Sequence, residues 1–202
     1  MPRQNRVRPD GQIVAVPDRG LFWGNRGSLH QGDRLVRYSS GRAWIICLLE
    51  FKGRRRSQWA PGRLTELFFL DDATGLAAGH RPCGECRAPA LRAFKAAWTI
   101  AYPGEPARVP EMDSRLHADR LAGVAVRRTY EERLVALPDG AMVDVDGRPW
   151  LILGDELLAW GAGGYGQRRP RAPLGQVTVI TPRATVATIR AGYVPELHPT
   201  AF

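Results

Sequence analysis

The densest hydrophobic signal in the chain lies between residues 42 and 51, where RAWIICLLEF predicts a buried central strand. A shorter apolar run, Leu67 to Leu70, predicts another. Asp71 and Asp72 behind it can accept the free N–H groups of a first helical turn. Ala73, Leu76, Ala77 and Ala78 continue that short helix, and Gly79 stands where a left-handed cap is wanted. After Pro89, the residues Leu91, Phe94, Trp98 and Ala101 recur at helical spacing and predict a helix to about Ile100. Residues 12–16 alternate weakly, like a strand ended by Pro17.

Beyond this point the pattern breaks. Residues 102–110 (YPGEPARVP) hold three prolines and a glycine, which marks a linker or long loop. Residues 113–121 read as a short helix ending at Gly123. From Ala141 the period becomes two: residues 141–145 and 149–153 flank Asp146 and Gly147 as a hairpin, and residues 157–160 and 177–181 add strands. Residues 161–169, rich in glycine, read as a mobile loop. The expected fold is α+β. A basic module over 1–102, built of short helices, strands and a zinc knuckle, precedes a smaller β-rich part over 111–202, and the two can share one core.

The chain has three cysteines and no apolar run approaching the roughly 18 residues of a membrane span. No signal peptide is visible, so a soluble, cytoplasmic protein with reduced thiols is expected. Cys83 and Cys86 form a C-x-x-C pair whose spacing lets both thiolates face one tetrahedral ion. A redox pair of thioredoxin type would open a helix directly after a strand, whereas here a short helix and a stiff turn at Pro82 intervene. Zinc is therefore the expected cofactor. Cys47, in the middle of the central strand, is either a packed core residue or a third ligand.

The stretch FFLDDATGLAAGHRPCGECR resembles the second half of the zinc domain of the bacterial adaptive-response (Ada) DNA-repair family. The resemblance covers residues 67–87. It implies that Cys83 and Cys86 match the family's later pair of zinc ligands, with Gly79, Arg81 and Pro82 as framework. The family's earlier C-x-x-x-C pair, which includes its methyl acceptor, is missing, so methyl transfer is not implied. The segment Gly24-Asn25-Arg26-Gly27-Ser28-Leu29-His30 resembles an opening found in stand-alone relatives of that domain, which makes His30 a candidate fourth ligand.

Net charge is +9, and residues 1–60 alone hold twelve basic side chains against four acidic ones. Nearly all are arginine, which grips phosphate with two parallel bonds. DNA is the expected partner. The candidate contacts are Arg3, Arg6 and Arg8 on a flexible N-terminal arm, and Arg26. Lys52, Arg54, Arg55, Arg56 and Trp59 follow the central strand, Arg81 and Arg87 flank the knuckle, and Tyr165, Arg168 and Arg169 lie in the glycine-rich loop. The function expected is zinc-dependent DNA binding in repair, modification or damage recognition. Two enzymatic alternatives stand beside it. One is a nuclease using Asp113 and His117, four apart and so able to pair as a general base. The other is a glycosylase/lyase using the amine of Pro2 once Met1 is removed. A non-enzymatic module that binds RNA or protein is a further alternative.

Overall fold

The computed structural model describes residues 1–54, 57–171 and 175–202, so Arg55 and Arg56 lie outside the described residues. The expected flexible arm is a strand, β1 (Gln4–Val7), paired with β2 (Ile13–Ala15). Its alternation carries the order: Asn5 and Val7 turn inward and Arg6 outward. Then come β3 (Phe22–Asn25), a small hairpin of β4 (His30–Gln31) and β5 (Arg34–Leu35), the central strand β6 (Ile45–Leu48) and β7 (Leu67–Phe69). After helix α1 (Asp72–Ala77), the two-residue strand β8 (Arg81–Pro82) closes a six-stranded sheet of order β2-β1-β7-β3-β6-β8. Pro82 is tolerated because β8 is an edge.

Helix α2 (Ala88–Ala101) takes the predicted register, burying Leu91, Phe94 and Trp98. Helix α3 (Val109–Arg120) starts earlier than residue 113, because Pro110 fits a first helical turn instead of extending the linker. A hairpin of β9 (Leu121–Gly123) and β10 (Val126–Arg127) leads into the second sheet. That sheet is antiparallel, built from β11 (Tyr130–Arg133), β12 (Met142–Val145), β13 (Arg148–Leu153), β14 (Glu156–Gly161), β15 (Gly164–Pro170) and β16 (Gln176–Val179), in the order β11-β16-β12-β13-β14-β15. The hairpin over 141–153 forms as expected, with φ of 55° at Asp146 and 75° at Gly147. The expected mobile loop over 161–169 does not exist. Only its glycines turn, and Tyr165 to Pro170 continue as β15 against β14.

Helix α4 (Arg183–Arg190) belongs to the second half of the chain but packs into the first. Ala184, Ile189 and Tyr193 share a core with Phe22, Leu76, Phe94 and Trp98. Leu70, Ala73 and Ala77 pack in turn on Met142, Leu151 and Leu158 of the second sheet. Helix α1 thus sits between the two sheets with every residue buried. No helix among the described residues is long and apolar enough to cross a membrane.

The general-base pair expected of Asp113 and His117 is not made. Asp113 accepts two bonds of 2.8 Å from buried Arg81, a bidentate pair that ties α3 to β8. The imidazole Nδ1 of His117 faces Arg120 at 3.3 Å. Removing one partner of a buried ion pair leaves the other uncompensated. Asp113→Asn is therefore expected to cost about 3–5 kcal/mol of folding stability, checked by the midpoint of urea denaturation against the wild type.

Candidate metal centre

The centre is assembled by the pairing of β8 beside β6. Ile46 points into the main core, so its neighbour Cys47 must face the opposite side of the sheet, with Trp23 and Phe68. The Arg81 N–H donates to Trp44 C=O at 3.0 Å and the Cys83 N–H to Ile46 C=O at 2.9 Å, which lays the knuckle alongside Cys47. The turn that follows brings Cys86 back before α2 begins. The Glu85 N–H donates to Cys83 Sγ and the Leu48 N–H to Cys86 Sγ, each at 3.4 Å.

Three sulfurs, those of Cys47, Cys83 and Cys86, lie within 4.8 Å of one another and could hold a metal ion. A tetrahedral ion with sulfur at about 2.3 Å asks for sulfurs roughly 3.8 Å apart, so the cluster fits with small rotamer adjustments. Among the described residues no fourth histidine, cysteine or carboxylate joins them. The trio borders a cavity of about 230 Å³ whose walls include Trp23, Asn25 and Arg54.

His30 is not the fourth ligand. Its Nδ1 meets the Thr65 hydroxyl at 2.7 Å, its Nε2 meets Ala60 C=O at 3.2 Å, and its ring stacks on Trp59. Both nitrogens are engaged in holding a loop.

The structure also divides the expected nucleic-acid contacts. Arg26 is fully buried between Tyr38 and Trp44. Arg81 is buried on Asp113, and Arg87 is buried on Asp72 at 2.6 Å. Tyr165 is in the core with its hydroxyl on Asp71 at 2.7 Å, and Trp59 is buried beside Glu66. These five are framework and cannot reach a strand of DNA. Arg168 is paired with Glu156 at 2.8 Å, and Arg169 lies over Trp150. Arg8 is paired with Asp10. Arg3, Lys52 and Arg54 are exposed, and Arg54 bonds Glu85 beside the cysteines at 2.6 Å. Pro2 and Arg6 line a second cavity together with Arg19, a residue that sequence reasoning passed over because nothing distinguishes a lone arginine after Pro17.

Compared with family models, curated proteins and solved structures, the chain has no match. Its chemistry rests on the site itself.

Within the trio the thiols are unequal. Cys83 accepts from the Cys47 thiol and from backbone N–H groups, which pulls its pKa down to about 5. Cys47, as donor to Cys83 and buried besides, is pushed up, and burial pushes Cys86 up as well. In metal-free protein one thiolate is therefore present above about pH 5, since a lowered pKa means loss of the proton earlier in a rising titration. Titrating the thiolate ultraviolet absorbance of reduced, metal-free protein is expected to give one such step near pH 5, and Cys83→Ser is expected to move it to alkaline pH.

Proposed function

We propose that the protein is a zinc-containing DNA-binding protein acting in DNA repair, modification or damage recognition. The convergence of three cysteine sulfurs from two distant parts of the chain carries the reading. Thiolates select zinc among the common divalent ions of a reducing compartment. Cys47, Cys83 and Cys86 would hold it, locking the knuckle to β6. Bound there, zinc would act as a Lewis acid toward whatever occupied its fourth place. The resemblance of residues 67–87 to the Ada zinc domain supports the same reading, with Cys47 as a third thiol that the family's spacing does not foretell.

The DNA part of the reading is supported by the net charge of +9 and by exposed Arg3, Lys52 and Arg54, of which Arg54 lines the cavity at the cysteines. Backbone contacts of this kind release counterions, so affinity should fall with salt.

Two measurements test the proposal. Metal analysis of protein purified without added metal is expected to give one zinc per chain, lost in Cys83→Ser and retained in His30→Ala. Fluorescence anisotropy with a duplex is expected to show log affinity falling against log salt with a slope of about −3 for three phosphate contacts. The slope should become shallower in Lys52→Ala together with Arg54→Ala. A metal-free chain that folds and binds the duplex as tightly as the loaded one would sink the proposal.

A further inference from the structure

The outer face of the first sheet carries a row of side chains in direct register. Arg6 of β1 pairs with Phe68 of β7, Phe68 with Trp23 of β3, and Trp23 with Cys47 of β6. At the far end of this row from the cysteines lies a cavity of about 350 Å³. Leu49 lines both this cavity and the one at the cysteines, and Gln58 and Phe68 join it to a smaller one between them. The cavities share walls along this row, with the cysteine trio at one end and arginines at the other.

The arginine end is built. Arg3, Arg6 and Arg19 line it, and none of its described lining residues is acidic. Arg6 lies 4.5 Å over the Phe68 ring, gives its Nε–H to Asp18 C=O and reaches Asn5 Oδ1 with Nη1 at 3.3 Å. It is a fixed cation on a sheet. The Asp18 carboxylate lies beside the backbone at Gly163 and is not among the residues lining the pocket. Burial and then the neighbouring Arg19 charge press the Arg6 pKa down, and the Asp18 carboxylate only partly opposes them.

We propose that this pocket binds a phosphoryl group, with Arg6 as the fixed contact and Arg3 and Arg19 closing from the rim. Three forks arriving from separate positions need more acceptor oxygens than one carboxylate offers, whereas a phosphoryl group presents three. The pocket is larger than that group, and the apolar walls at Phe68, Leu49 and Val16 suit the ring or sugar to which it is attached. The group has two sources with the same chemistry, the phosphorylated end of a nucleic-acid strand or a free small phosphate. The cysteines and any metal lie outside this pocket, so its test is separate from that of the metal reading.

Isothermal titration at fixed ionic strength with inorganic phosphate is the direct test. The wild type is expected to bind, and Arg3→Ala with Arg19→Ala to weaken binding at least about tenfold, as loss of charge-assisted bonds requires. Arg92→Ala, on an exposed face of α2, should leave it unchanged. The same titration with oligothymidylate carrying a 5′-phosphate or a 5′-hydroxyl separates the sources. A preference of about tenfold for the phosphorylated strand that disappears in the double variant assigns the pocket to strand ends. Equal binding of both strands, beside retained phosphate binding, assigns it to a free phosphate compound. No phosphate binding by the wild type, or binding of the same strength in the double variant, overturns the proposal.

Discussion

Buried guanidinium groups hold the turn on which the cysteine centre depends. Arg26 and Arg120 lie against Trp44, at 4.3 and 3.9 Å from its ring, both wholly inside the protein. Arg120 donates to Gly79 C=O, Arg127 donates to Ala77 and Ala78 C=O, and the Arg26 Nε–H donates to His80 Nε2. These acceptors are the C-terminal carbonyls of α1 and the residues just past them, where the helix dipole is negative. Burial lowers Arg26 to about 10 and Arg120 to about 9, so both stay charged at neutral pH. His80 is pressed well below its ordinary value by burial and by these cations, and remains a neutral acceptor. Carbonyl bonds and desolvated cation–π contacts, about 2 kcal/mol each, offset the cost of taking the charges from water. The chain leaves this cluster in one direction, along β8, and that direction sets Cys83 beside Cys47.

The second half of the chain acts as a clamp on the same helix. Asp71 caps α1 through the Thr74 N–H at 2.8 Å, and its other oxygen takes the Tyr165 hydroxyl of β15. Thr74 Oγ1 accepts from Trp160 Nε1 of β14 at 3.0 Å. Asp72 takes Arg87 on one oxygen and the Tyr193 hydroxyl on the other, both at 2.6 Å. Two buried carboxylates are thus satisfied from both halves of the molecule. Tyr165 is a case in point: amid glycines and arginines it reads as a surface aromatic, yet its partner is ninety-four residues away.

What could be read from the sequence were the features whose cause is local. The run at residues 67–70, the acidic cap, Gly79 with φ of 89° and the amphipathic α2 all follow from neighbours within a turn or two. The hairpin at Asp146 and Gly147 belongs with them. Cys83 and Cys86 as a pair were legible for the same reason. Cys47 was not decidable, because its role depends on β8 pairing in parallel with β6 across thirty-six residues, and no spacing rule records that. His30 misled because a loop histidine looks the same in sequence whether it meets an ion or, as here, Thr65 and a carbonyl. The Asp113 and His117 spacing was real, but Arg81 offers the carboxylate a buried fork, and that outweighs a half-exposed imidazole.

The same argument changes what the arginine content means. A surplus of basic residues in a sequence is ordinarily assigned to the surface, since charged side chains are rarely buried. Here Arg26, Arg81, Arg87 and Arg120 are internal, each stacked or bonded through the planar, bidentate geometry that a guanidinium offers and an ammonium does not. Part of the charge of +9 is therefore structural and says nothing about a partner. The arginines that bear on the proposed ligand are those lining a pocket on the sheet's open face whose described walls hold no acid. Arg6 and Arg19 crowd each other there at the end of a row that leads, strand by strand, to the cysteines. Position on that row, rather than abundance, marks a cation placed for an anion.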